Sequence, residues 1–183
     1  MDYKELLNKV LSELTRSTSS VKTEDAQLLA SKIVTAKRLF CDGKGRSALM
    51  MKGFAMRLSQ MDLAVFDTQG VTVPAIERGD TLLIASGSGE TENLLEHARK
   101  AKKIGAEIIL LTAVQNSTLG QLSDICICFE ANSKLHKETA SVQPMGTLFE
   151  QSIMVFFDVV VLFLMKKLLL TEEDMYHLHN NLE

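Results

Sequence analysis

The stretch Thr81-Leu82-Leu83-Ile84-Ala85-Ser86-Gly87-Ser88-Gly89-Glu90-Thr91-Glu92 runs from a short apolar segment into a loop of glycines and hydroxyls, and then into a helical pattern. That succession is one strand–loop–helix step of a sheet covered on both faces. The step recurs on either side: Arg38–Cys41, Ala64–Asp67, Glu107–Thr112 and Asp124–Phe129 are further short apolar runs separated by helical segments. With Thr81–Ser86 they make five strands. The expectation is an α/β fold, a five-stranded parallel sheet flanked by helices, doubly wound and flavodoxin-like. Local chemistry agrees: Gly43 and Gly45 follow the first strand, Gly79-Asp80 opens the third, and Gly105 stands where a helix beginning near Glu90 needs its C-terminal cap.

Upstream, Leu6, Leu7, Val10, Leu11 and Leu14 share one face of a first helix, Ser17 to Ser20 mark a break, and a second helix spans about Glu24 to Lys37. Downstream, a helix beginning near Thr147 is apolar nearly all round, from Phe149 through Ile153, Phe156 and Val160 to Leu162. Such a helix must be covered on every side, which points to a subunit interface in a homo-oligomer. No linker, repeat or low-complexity segment interrupts the chain. Residues 1–183 therefore read as one unit, with residues 1–37 forming helices that pack on the core.

The composition narrows the function. At 183 residues, 46% hydrophobic, with 2 Pro and 10 Gly, the chain can bury one core and is short for two. A formal net charge of −3 leaves no broad positive surface for a nucleic acid, so none is expected as a partner. The charged start Met1-Asp2-Tyr3-Lys4-Glu5 leads to no signal-peptide core, which implies a cytoplasmic protein. Cys41, Cys126 and Cys128 read as reduced core residues, with no further ligands at spacings that would hold a metal. The apolar stretch Ile153 to Leu170 is interrupted by Asp158 and followed by charge at Lys166 and Lys167, so it reads as a buried helix with no membrane as partner.

In an open parallel sheet, ligands gather where strand ends lead into helix N-termini. The loop Ser86–Thr91 offers three hydroxyls, glycines that let the backbone approach a ligand, and a helix N-terminus with free N–H groups. That combination suits a phosphate. The plain alternative is that one hydroxyl caps the helix and Glu92 assists. Gly87-x-Gly89 lacks the third glycine of a dinucleotide fingerprint, and Gly43-Lys44-Gly45-Arg46-Ser47 is not a P-loop. The latter turn still adds Ser47 and a cation, with Arg46 either binding the sugar or pairing with a neighbouring acid.

These features together resemble the sugar isomerase (SIS) domain. The resemblance narrows at Ser141-Val142-Gln143-Pro144-Met145-Gly146-Thr147-Leu148-Phe149-Glu150-Gln151, at Gly45-Arg46-Ser47, at Phe54-Ala55-Met56-Arg57-Leu58 and at the ending Asn181-Leu182-Glu183, which are similar to the 6-phospho-3-hexuloisomerase family over nearly the whole chain. The resemblance implies interconversion of D-arabino-hex-3-ulose 6-phosphate and fructose 6-phosphate, in the ribulose monophosphate route of formaldehyde fixation or, reversed, of pentose supply. It implies small oligomers, commonly tetramers, working without a metal or other cofactor. It also implies that Ser47, Ser86, Ser88 and Thr91 line the phosphosugar site and that Glu150 is the proton-transfer base. Two positions depart from the family pattern: Gln60 stands where a His is usual, and Gln69-Gly70-Val71 where Gly-Glu-Thr is usual.

The chemistry asks for one carboxylate that removes the C2 proton and returns a proton to C3 of an enediolate. Glu150 is the candidate, with Glu90 and Glu92 as rivals, and hydroxyls or backbone N–H groups of the serine loop can stabilise the enediolate oxygens. Opening of the fructose ring, and proton movement between O2 and O3, suit a histidine. In the family the tail histidine before the Asn-Leu-Glu ending lies near the site, which corresponds to His179, set against the simpler reading of a solvated tail. His97 and His136 read as surface positions without a role. Another aldose–ketose isomerase, or a non-catalytic sugar-phosphate-binding protein, remains an alternative.

Overall fold

The computed structural model describes residues 2–132 and 141–182. His136 and Glu183 lie outside them. In chain order the elements are α1 (Tyr3–Ser19), α2 (Thr23–Thr35), β1 (Leu39–Gly43), α3 (Arg46–Ser59), β2 (Val65–Asp67), β3 (Thr81–Ala85), α4 (Glu92–Ile104), β4 (Glu107–Thr112), α5 (Thr118–Leu122), β5 (Ile125–Cys128), α6 (Thr147–Leu168) and α7 (Glu172–His177). The five strands form one sheet of order β2-β1-β3-β4-β5, every neighbouring pair parallel. This is the doubly wound, flavodoxin-like order. The chain leaves β1 toward one edge and resumes at β3 on the other side of it, so the loops after β1 and β3 diverge from a common point.

Burial explains the strand composition. Every residue of β1 and β3 is buried, because helices cover both faces. On one face Cys41, Leu83, Leu111 and Ile127 pack with α2, α3 and α6; on the other Phe40, Leu82, Ile84 and Leu110 pack with α4 and α5. The three cysteines are free, and burial pushes the Cys126 thiol up to about 11.

Three local expectations change. β1 runs to Gly43, two residues beyond the apolar segment, because Asp42 finds partners that let it pair in register with Ile84 of β3. α1 does not break at Ser17. That serine is fully buried against α6, its hydroxyl 2.8 Å from Ser152 Oγ, and Thr18 Oγ1 donates back to Leu14 O at 2.8 Å, so these residues stay helical. The connection from β2 to β3 contains no helix; Val73 and Ile76 in it pack directly on the α4 face of the sheet.

α6 is long and apolar enough, by length and composition, to cross a membrane, yet 56% of its most apolar window is buried within the protein. Phe149, Ile153, Phe156, Phe157, Val160 and Leu164 enter the core, with Phe157 stacked on Phe54 of α3 at 4.1 Å. The opposite face leaves Met154, Val159 and Leu162 exposed.

Two carboxylates tie segments together. Asp80, fully buried at the start of β3, receives Arg38 Nε at 3.0 Å and Arg38 Nη2 at 2.6 Å. Burial acts to raise its pKa, and the Arg38 guanidinium with the Glu77 N–H more than offsets that, holding it below the usual range. Glu13 of α1 receives the Ser141 hydroxyl and the Val142 N–H, both at 2.7 Å. Burial opposes its ionised form, but these bonds prevail and lower its pKa. Glu13 thereby anchors the segment that leads into α6.

Candidate active site

The loops after β1 and β3 enclose a hollow of about 170 Å³ at the point where the strand order reverses, closed on a third side by the start of α6. Lys44 comes from the first loop and Ser47 from the first turn of α3 that follows it, Ser86, Ser88 and Thr91 from the second loop, and Glu150 from the first turn of α6. Strand β3 delivers Ser86 buried at its end. The chain then turns through Gly89, whose φ of +67° favours glycine, and reaches α4 at Glu92 rather than at Glu90.

The hydroxyls are not spent on capping. Thr91 is the N-cap of α4, but its side chain makes no capping bond; its Oγ1 lies 3.3 Å from Ser86 Oγ instead. By contrast, Ser117 caps α5 by accepting from the Gly120 N–H, and Glu90 Oε1 accepts from the Thr118 N–H at 2.7 Å. Glu90 is thus committed to the start of α5, and Glu92 is exposed on α4. Of the three candidate carboxylates, only Glu150 lines the hollow.

Glu150 reaches its place through packing. Phe149 beside it is buried edge-on against Phe129, with ring centroids 6.0 Å apart. A Cβ at Gly87 would stand 3.0 Å from the Phe149 ring, so the missing side chain is what lets α6 press on the serine loop. Glu150 is 7% exposed, and Arg46 Nε lies 3.2 Å from its Oε2. Arg46 also donates to Thr147 Oγ1 at 3.2 Å. Of the two readings of Arg46, pairing with an acid is the one seen, while Lys44 is the cation that lines the hollow. Lys44 shares the same five-residue turn; the sequence offers both cations there and does not say which one points inward.

His179 is elsewhere. It lines a separate hollow of about 500 Å³ with Arg57, Gln60, Met165, Met175 and Tyr176. Gln60 is buried there and accepts from Arg57 Nη1 at 2.8 Å. Thr171 and Asp174 form a reciprocal capping box for α7 and Met175 is buried against the core, while Tyr176 to Leu182, His179 among them, are exposed.

His97 is also more than a surface residue. Its Nδ1 lies 2.6 Å from Oδ2 of Asp42, a fully buried carboxylate at the end of β1. The signal for it was a lone charge inside the apolar run Leu39-Phe40-Cys41-Asp42, since a buried charge needs a partner. Among the described residues no group of three or more His, Cys, Asp or Glu gathers as metal ligands.

The SIS domain family model matches residues 32–157. The 3-hexulose-6-phosphate isomerase of Bacillus subtilis (strain 168) is 37% identical over 185 residues, covering 100% of both chains. The protein of that name from Mycobacterium gastri is 37% identical over 178 residues, which is 97% of this chain and 89% of its own length. A solved structure from Methanococcus jannaschii, said to infer a molecular function of 3-hexulose-6-phosphate isomerase, superposes with a TM-score of 0.86 at 31% identity, covering 98% of this chain and 99% of that one. On a family match spanning most of the chain and full-length relatives at this identity, the protein belongs to the SIS domain family and, within it, to the 3-hexulose-6-phosphate isomerases.

Proposed function

We propose that this phosphosugar isomerase interconverts D-arabino-hex-3-ulose 6-phosphate and fructose 6-phosphate, with Glu150 as the proton-transfer base. The observation that carries the reading is that the Glu150 carboxylate and the hydroxyls of Ser47, Ser86, Ser88 and Thr91 line one hollow. The phosphate docks on those hydroxyls and on the N-terminus of α4, with Lys44 adding charge. Glu150 takes the C2 proton of the 3-ketose and the electrons form the C2–C3 enediolate; the O2 proton passes to O3, and a proton returned to C3 leaves the carbonyl on C2. Arg46, beside Glu150, supplies positive charge where the enediolate develops. A 3-ketose esterified at O6 has no hydroxyl placed to close a stable ring, so ring opening concerns the fructose direction alone.

The test follows carbon-bound protons. In deuterated water the protein is expected to exchange the C3 proton of fructose 6-phosphate, read by NMR. Exchange at C1 instead would make it an aldose–ketose isomerase, and tight binding with no exchange would make it a binding protein; either outcome overturns the proposal.

The same reading takes the protein as a homo-oligomer, a dimer or tetramer, in the cytoplasm, where free thiols stay reduced. What supports the oligomer is the exposed apolar face of α6, with Met154 at 52% and Leu162 at 65% exposure. Because His179 lines a different hollow, its part in the reaction would fall to a second copy's His179. Light scattering coupled to size exclusion should give a multiple of 20.3 kDa. A monomer at micromolar concentration removes both the oligomer and that role.

A further inference from the structure

The Asp42–His97 pair joins the end of β1 to α4, and neither residue lines the hollow. Asp42 Oδ1 accepts from the Gly43 N–H at 2.9 Å and from Thr68 Oγ1 at 2.7 Å, and Oδ2 accepts from His97 Nδ1 at 2.6 Å. Gly43 is gripped at its other end as well, its carbonyl accepting from Gln69 Nε2 at 2.8 Å. The peptide groups that open the Lys44–Ser47 turn are therefore held by side chains of β1 and of the β2–β3 connection. His97 lies on α4, the helix whose N-terminus forms the opposite wall.

We propose that His97, through Asp42, is a positioning residue for the sugar-phosphate site: it locks the Gly43–Ser47 turn at a fixed distance from the N-terminus of α4. The inference rests on the reading of the hollow as the phosphosugar site. The physical argument is one of buried valence. Asp42 has 0% exposure, and among the described residues His97 is the one partner of its Oδ2. Without that N–H, Oδ2 loses its buried donor, and a carboxylate that rotates to find another releases the Gly43 N–H that Oδ1 now holds. The turn is tight, with the position of a Gly43 Cβ only 3.1 Å from the Ala48 backbone nitrogen, so a shift at Gly43 passes directly to Ser47. Gln69, which departs from the family pattern, belongs to this network. Its amide supplies a donor that the glycine usual at that place would not.

The test compares His97→Leu with His97→Asn in the full-length protein. Asn can present an amide N–H near the place of Nδ1. His97→Leu is expected to raise KM for fructose 6-phosphate about tenfold, with kcat within about twofold, and to speed hydrogen exchange at the Gly43 amide by about tenfold. His97→Asn should recover most of both. Thr68→Val, a milder change that removes another donor to Asp42, should move both readouts in the same direction by about threefold. A role in stability alone would lower Tm without separating KM from kcat. If the Leu variant keeps wild-type KM and Gly43 exchange, or if Asn fails to rescue a folded Leu variant, the proposal is wrong. Exchange at Gly43 requires no ligand, so a wild-type protein that does not bind fructose 6-phosphate would overturn the site reading separately.

Discussion

Glu150→Gln is expected to slow exchange of the C3 proton of fructose 6-phosphate by a factor on the order of 10² to 10⁴, the range that general acid–base groups contribute. An amide keeps the size and hydrogen-bonding reach of the carboxylate but cannot take a proton from carbon at neutral pH. Binding should survive, because the hydroxyls that would hold the phosphate come from the loop between β3 and α4 and from the first turn of α3, and none depends on Glu150 for its place. Stability should change little as well. The ion pair with Arg46 is lost, but the Arg46 side chain is 54% exposed, and such pairs contribute at most about 1 kcal/mol. The measurements are NMR exchange in deuterated water and calorimetric titration with fructose 6-phosphate. Undiminished exchange would remove Glu150 as the base. Loss of binding in step with exchange would show that the carboxylate holds the sugar rather than transfers its proton.

Gly89→Ala should damage both the fold and the site. The residue sits at φ +67°, where a side chain costs roughly 1–2 kcal/mol. Its new Cβ would also stand 2.3 Å from Ser117 Cβ, closer still to Ser117 Oγ. Ser117 is 2% exposed and caps α5, so it cannot swing aside without giving up the Gly120 N–H, and such overpacking adds about 1–3 kcal/mol. The expected loss is about 3 kcal/mol, which for a chain of this size is a fall in Tm of roughly 6–12 °C. Because the Gly89 N–H also donates to Ser86 Oγ at 3.2 Å, the strained loop should bind fructose 6-phosphate more weakly even where it is folded. Adding Ser117→Gly relieves the clash and leaves the backbone strain, so the double variant should recover about half of the lost stability. A Gly89→Ala protein with wild-type Tm would show that the loop relaxes freely, and the tight packing of α5 on it would then carry no weight.

Much of the scaffold was legible along the chain. β4 spans Glu107–Thr112 and α6 starts at Thr147, where the apolar run and the helical pattern put them, and Gly105 takes the left-handed conformation that ends α4. The order of short apolar segments and helices also carries the layer architecture, because a strand covered on both faces has to be apolar throughout. The serine loop was legible for the same reason: its glycines and hydroxyls act on their own backbone within a few residues.

Other features were not legible, and each involves residues distant in sequence. Arg46 meets Glu150, Asp42 meets His97, and Glu13 holds Ser141 and Val142 only because the sheet order brings β1 beside β3 and the first helix beside the last segment. Ser17 looked like a break because serine favours turns, and burial against Ser152 kept it helical. The sequence by itself determined the α/β layers, the strand positions and a phosphate-suited loop, through periodicity and backbone preferences that operate within a few residues. The tertiary structure alone decided which carboxylate joins that loop, which cation lines the hollow and that His179 faces a different one, because burial and hydrogen bonding act between whatever surfaces the fold brings into contact.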